Sequence, residues 1–282
     1  MTIVYVHGGV SGLENPEPDL SGFVTVGAAH GTCLDAVERA VRELEDDPRF
    51  NAGFGSVLNT EGGVEMDAGI VAGATGRFGG VANVTVRHPI SLARRVAEQT
   101  PHVLITGNGA SHLGRDMEQL ADTTEEERRR WEKARSAGNL GAWSYGSPEH
   151  VDTVGAISLD QDGELAAASS TGGVFGKLPG RVGDSPVLGA GLYASARVAV
   201  LGTGVGELFL ETMAAFRVGA LIENGATPQE ACEEIIRLIR SRSDATAGLM
   251  ALDVRGDFGA AYRGGSWAVA GPDGNVPVVR MD

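Results

Sequence analysis

At 282 residues, 42% apolar and 21% charged, the chain is long enough for one large globular domain or two small ones, and disorder is excluded as its main state. Its 42 glycines are about twice the usual share but follow no three-residue period, which excludes collagen and a linker-like chain and points to tight turns and close backbone approaches. Lys and Arg number 23 against 37 Asp and Glu, a net charge of -14, so nucleic acid and anionic membrane are disfavoured as partners.

Cys33 and Cys232 stand far apart with no CxxC and no histidine pair nearby, so neither a zinc site nor a disulfide framework is indicated and both read as buried thiols. The N-terminal MTIVYVHGG lacks the basic start of a signal peptide. No stretch approaches the ~20 apolar residues of a spanning helix. A cytoplasmic protein is the expectation.

In chain order, residues 2–6 read as a strand ending at His7. A helix over 33–45 is capped by Thr32, with Ala36, Val37, Ala40, Val41 and Leu44 on one face and Pro48 closing it. Residues 64–73 and 79–86 suggest a hairpin, 90–100 a helix and 102–107 a strand. The Glu/Arg/Lys-dense segment 117–135 and the Gly/Ser-containing 136–149 read together as a mobile linker. Beyond it come strands at 154–159 and 165–169 and a helix over about 204–223. A further helix opens at Thr227-Pro228-Gln229-Glu230 with the pattern of a capping box. Strands at 249–254 and 259–264 finish the core. Both halves mix strands and helices, an α+β plan within a single domain.

The chemistry is concentrated between 150 and 206. Thr153 stands between the linker and an apolar strand; alone it is a strand's first residue, but Ser169-Ser170-Thr171-Gly172-Gly173, Gly180-Arg181-Val182-Gly183-Asp184 and Gly202-Thr203-Gly204-Val205-Gly206-Glu207 follow it. Arg181 and Asp184 could pair with each other or hold a zwitterion, the guanidinium forking onto a carboxylate and the aspartate receiving an ammonium. The segment Thr203 to Gly206 opens a helix, whose first N–H groups lack partners and suit an oxyanion. The histidines form no ligand pair, and His7 is expected to end its strand by structural hydrogen bonding.

LEDDPRFNAGFGSVLN (44–59), VEMDAGIVAG (64–73), HPISLARRV (88–96), HVLITGNGA (102–110), DTVGAI (152–157), STGG (170–173), GRVGDSPVLGAGLYA (180–194) and TGVGE (203–207) occur in order. On these strings the chain resembles the plant-type asparaginases and isoaspartyl peptidases, N-terminal-nucleophile hydrolases related to glycosylasparaginase. It departs from their pattern at Asp152, where that branch has Gly, at Ser170, at Val205 and in HGGVSG near the start.

The resemblance implies a four-layer αββα sandwich and self-cleavage between Asp152 and Thr153, leaving fragments 1–152 and 153–282 associated, with Asp152 assisting or serving only as a turn residue. The new N-terminal Thr153 would be the nucleophile. Its free amine, with a reference pKa near ~8, would be the base. Thr171 would hydrogen-bond the nucleophile, and Thr203 with Gly204 would form the oxyanion hole. Arg181 and Asp184 would grip the α-carboxylate and α-ammonium of an aspartyl unit, and Gly206 would permit close approach. Asn51 would orient groups at the nucleophile or bridge two loops.

The resemblance further implies no catalytic cofactor, a possible structural sodium on carbonyls of Leu44 to Phe50, a small-molecule aspartyl substrate and a homodimer of cleaved protomers. The substrate is L-asparagine or an isoaspartyl dipeptide. Asp152 keeps open a glycosylasparaginase-like activity, against which Gly172-Gly173 stand where that branch has Asn. A reading from another class is a non-catalytic amino-acid or nucleotide-binding protein, the latter suggested by ARVAVLGTGVGELFL (196–210) but missing its third glycine at Glu207.

Overall fold

The structure, a computed structural model, describes residues 2–14, 17–141 and 153–281. In chain order the elements are β1 (Ile3–Ser11), α1 (Ser21–Ala28), α2 (Cys33–Asp46), β2 (Met66–Ala72), β3 (Arg77–Val84), α3 (Pro89–Gln99), β4 (Leu104–Thr106), α4 (Gly107–Leu113) and α5 (Glu125–Ser136). They continue with β5 (Val154–Leu159), β6 (Leu165–Thr171), β7 (Leu192–Ala194), β8 (Val198–Gly204), α6 (Gly206–Thr212), α7 (Ala214–Glu223), α8 (Pro228–Arg240), β9 (Ala247–Asp253), β10 (Phe258–Arg263), β11 (Ser266–Gly271), β12 (Gly274–Asn275) and β13 (Val279–Arg280).

The strands form two sheets, ordered β12-β11-β1-β5-β6-β2-β3-β4 and β13-β10-β9-β8-β7. Three apolar cores follow from the two faces of each sheet. One lies between the first sheet and α1 to α3, and includes Val6, Leu44, Ile70, Leu92 and Ala168. The second lies between the second sheet and the helices from α6 to α8, and includes Val200, Phe209, Ile236 and Leu249. The third joins the sheets to each other through Ile157, Ala167, Leu201, Met250 and Trp267. The fold class is α+β.

Local chemistry explains the clearest elements. Thr32 caps α2 by accepting from Asp35 N at 3.2 Å, and α8 has the full reciprocal box between Thr227 and Glu230. Both thiols are buried, and burial pushes Cys33 up to about 12.

Several elements differ from the sequence reading. Where a linker over about 117–150 is expected, α5 occupies Glu125–Ser136. Its charges pair along the helix, Arg129 with Glu125 at 2.6 Å; its buried side chain is Trp131, donating from Nε1 to Asn59 O at 2.8 Å, and Arg128 donates to Gly62 O at 3.0 Å. Trp131 and Ala134 are its two apolar residues, too few to show a period. The helix expected over about 204–223 is two, broken at Met213, whose φ is +49°. β1 runs through the His-Gly-Gly segment rather than stopping before it. His7 is fully buried and neither ring nitrogen has a hydrogen-bond partner among the described residues, which corrects the expectation of a bonded strand end; burial lowers its pKa to about 3. Gly8 is set by packing, since a Cβ there would lie 2.7 Å from the Phe50 ring.

Candidate active site

Strand alternation places the expected hydroxyls in one row. β5 and β6 pair with Val154 opposite Ser170 and Gly155 opposite Ser169, so Thr153, one step before Val154, falls beside Thr171. On the other side of β6, Thr171 faces Asp67 of β2. Paired residues share a face. That face is the one between the sheets, because a Cβ at Gly155 would lie 2.7 Å from Leu201 Cδ1 of β8. Thr153, Thr171 and Asp67 are all buried.

The turn after β6 is held on two sides. Thr171 Oγ1 accepts from Gly173 N at 2.9 Å. Asn51 donates from Nδ2 to Gly173 O at 2.7 Å, accepts from Val57 N at 2.9 Å through Oδ1 and from Gly172 N at 2.8 Å through its carbonyl. Asn51 is thus the bridge between two loops. Gly172 has no room for a side chain, since its Cβ would sit 2.3 Å from Asn51 Oδ1.

Thr203 and Gly204 end β8, and α6 begins at Gly206 with Val205 as N-cap. This corrects the sequence reading, in which the segment from Thr203 opens the helix. The Thr203 hydroxyl is buried without a partner among the described residues. Gly204 has φ +139°, a region that favours glycine, and a Cβ there would lie 2.4 Å from Thr246 O.

The charged groups converge where expected. A Cβ at Gly206 would lie 2.7 Å from Asp184 Oδ1 and 2.9 Å from Arg181 Nη2, so Arg181, Asp184 and Gly206 form one cluster. Arg181 does not fork onto Asp184. Its Nε and Nη2 donate to Glu207 Oε1 and Oε2 at 3.0 and 2.8 Å. Glu207, in the first turn of α6, is the residue that sequence reasoning passed over; its only signal is its place directly after TGVG. Asp184 is fully buried with Oδ2 unpartnered among the described residues. Burial pushes its pKa up to about 7, against the opposing pull of Arg181.

The cluster therefore holds a buried guanidinium paired with Glu207 beside a carboxyl whose Oδ2 has no hydrogen-bond partner among the described residues. It lies in the turn 181–184 that leads from the Thr171 strand toward β7, with Gly206 against it. Asp152 lies outside the described residues. Among the described residues no group of three His, Cys, Asp or Glu side chains could hold a metal ion, and no helix is long and apolar enough to cross a membrane.

The sequence profile of a family described as asparaginase matches residues 22–275. The chain belongs to the asparaginase family. It is 38% identical to an isoaspartyl peptidase of Salmonella typhimurium over 98% of this chain and 96% of that protein. To a human isoaspartyl peptidase/L-asparaginase it is 42% identical, over 95% and 92% of the two chains. To a plant-type L-asparaginase of Pyrobaculum calidifontis it is 40% identical, over 93% and 94%. The relatives thus span nearly the whole of this member of the asparaginase family, and the residues matched by the profile include the row and the charged cluster.

Proposed function

We propose that this member of the asparaginase family is a self-cleaving amidohydrolase that releases aspartate from L-asparagine, isoaspartyl dipeptides or both. The observation that carries the reading is the convergence of Arg181, Asp184 and Gly206 beside the row that holds Thr153 and Thr171. A zwitterion held by Arg181 and Asp184 would turn its β-amide toward the adjoining row, whose hydroxyls are those of Thr153 and Thr171.

In maturation, Thr153 Oγ attacks the Asp152 carbonyl carbon, the peptide bond gives way to an ester, and the released nitrogen becomes the Thr153 amine. Water then cleaves the ester and leaves Asp152 as a new carboxyl terminus. In turnover, that amine takes the Thr153 hydroxyl proton as Oγ attacks the β-carbonyl of the substrate. The oxyanion is met by the Thr203 hydroxyl and the Gly204 N–H. Collapse expels the amine or ammonia with the proton returned from Thr153, and water hydrolyses the β-aspartyl ester to aspartate. Asn51 acts at one remove, through its bond to Gly173, whose N–H donates to the Thr171 hydroxyl. A glycosylated asparagine is the second substrate class, favoured by Asp152; against it stands the lack of room for any side chain at Gly172.

The same reading makes the three cores a four-layer αββα sandwich, one domain built from both cleaved fragments. No cofactor enters the chemistry. A structural sodium, if bound, would be held by main-chain carbonyls of Leu44 to Phe50, neutral oxygen donors of the kind that suit such a hard cation. A homodimer is supported by Leu188, Met213 and Phe216, all exposed and gathered around Gly189. Incubating purified protein with L-asparagine, β-Asp-Leu and a glycosylated asparagine and assaying free aspartate tests the substrate class; release from neither of the first two overturns the reading.

A further inference from the structure

Asp67 is the one charged residue inside the apolar β2, and it is wholly buried. A buried carboxylate is tolerated only where its oxygens are hydrogen-bonded and its charge is met. One of its bonds goes to the turn of the charged cluster, and the other to a residue of β3 that is itself tied to that turn. Oδ2 accepts from Gly183 N at 2.9 Å, inside the turn between Arg181 and Asp184. Oδ1 accepts from Asn83 N at 3.0 Å, and the Asn83 side chain donates on to Arg181 O at 3.1 Å. Asn83 has φ +56°, so this link is kept at the cost of a conformation that few side chains adopt. Along the sheet, Asp67 stands opposite Thr171. Asp67 therefore stands in register with the hydroxyl row while its side chain is bonded to the Arg181–Asp184 turn.

Lys177 is also buried, and its Nζ donates to Glu65 O at 2.6 Å. Burial lowers the Lys177 pKa, and Asp67 supplies the largest opposing attraction. Lys177 Nζ and Arg181 Nη1 approach a single point beside the Gly173 α-carbon, at 2.9 and 3.3 Å. Two cations brought that close need a nearby anion, and Asp67 acts on both.

We propose that Asp67 is a positioning residue for the hydrolysis: it sets the Arg181–Asp184 turn against the Thr153–Thr171 row, with Lys177 as its buried counter-ion. This rests on the function proposed above. Asp67 reaches the substrate only through the turn, so its loss acts on the grip that ground state and transition state share, and raises KM more than it lowers kcat.

The test is the cycle of Asp67→Asn, Lys177→Met and the double variant, read by kcat and KM for L-asparagine, by calorimetric Kd for L-aspartate and by Tm. Each single change leaves one buried charge unmet and lowers Tm. Removing both charges recovers most of that loss. In the double variant KM and Kd stay about tenfold above wild type while kcat remains within about threefold. A double variant that recovers Tm and also has wild-type KM and Kd overturns the proposal, because the pair is then only structural. If the double variant fails to fold, Asn83→Gly severs the link to Arg181 O while relieving the backbone; it raises KM by a similar factor, and a wild-type KM in that variant overturns the proposal equally. A wild-type protein that neither hydrolyses L-asparagine or β-Asp-Leu nor binds L-aspartate removes the functional reading itself, and this proposal with it.

Discussion

Glu207 grips Arg181 through both of its carboxylate oxygens, at 3.0 and 2.8 Å. Two donor positions of the guanidinium are thereby spoken for. On the proposed reading a substrate carboxylate would meet an arginine whose plane is already fixed, and Nη1 is the nitrogen outside the pair with Glu207. Glu207→Gln keeps the size but weakens the charge-assisted bonds. It is expected to raise KM for L-asparagine by about tenfold through a less ordered guanidinium. Steady-state kinetics at fixed pH checks this; an unchanged KM contradicts the orienting role.

Asp184 gives a pH dependence with a definite sign. Burial raises its pKa from 3.8 to about 7, so the unfolded chain loses this proton well before the folded one. The group's contribution to stability is fully present below the unfolded pKa and is lost as pH rises toward about 7. On the proposed reading substrate binding would run the other way, since the ammonium would need the carboxylate ionised. KM for L-asparagine is expected to fall as pH rises through about 7, and Asp184→Asn is expected to have a Tm at pH 8 no lower than wild type with KM raised about a hundredfold or more. Paired thermal melts and kinetics across pH 5 to 8 check both halves.

Gly206 is predicted to admit no side chain. A methyl group there would lie 2.7 Å from Asp184 Oδ1 and 2.9 Å from Arg181 Nη2, well inside van der Waals contact. Gly206→Ala is expected to reduce kcat/KM by about a hundredfold, since small displacements of positioning groups are that costly. The helix beginning at Gly206 is otherwise favoured by alanine, so circular dichroism should find the fold intact. Unchanged kcat/KM would separate Gly206 from the cluster.

Thr32 and Thr227 announced their helices by capping, and Arg181 and Asp184 stood in one turn. The roles of Thr153, Thr171, Gly204 and Gly206 were legible through the resemblance, Gly204 as an oxyanion donor and Gly206 as a close approach. Glu207 was not legible as the partner of Arg181, because 26 residues separate them and a glutamate in a helix's first turn is ordinary. Asp67 was hidden for a related reason: its partners lie on β3 and in the turn 181–184, and only sheet register brings them to it. α5 was read as linker because Trp131 alone is buried on it. β8 was read as a run before a helix rather than as a strand ending in Thr203-Gly204, since an apolar stretch has no period that distinguishes the two.

The central claim is that Thr153 becomes the amino terminus and the nucleophile. Intact-mass measurement of aged wild-type protein, alongside Thr153→Ala, tests it most directly. The account predicts that the wild type resolves into two species with the masses of residues 1–152 and 153–282 as it gains the ability to release aspartate from L-asparagine or β-Asp-Leu, while Thr153→Ala stays whole and inactive. A wild-type protein that remains one uncut chain and is nonetheless fully active would contradict it.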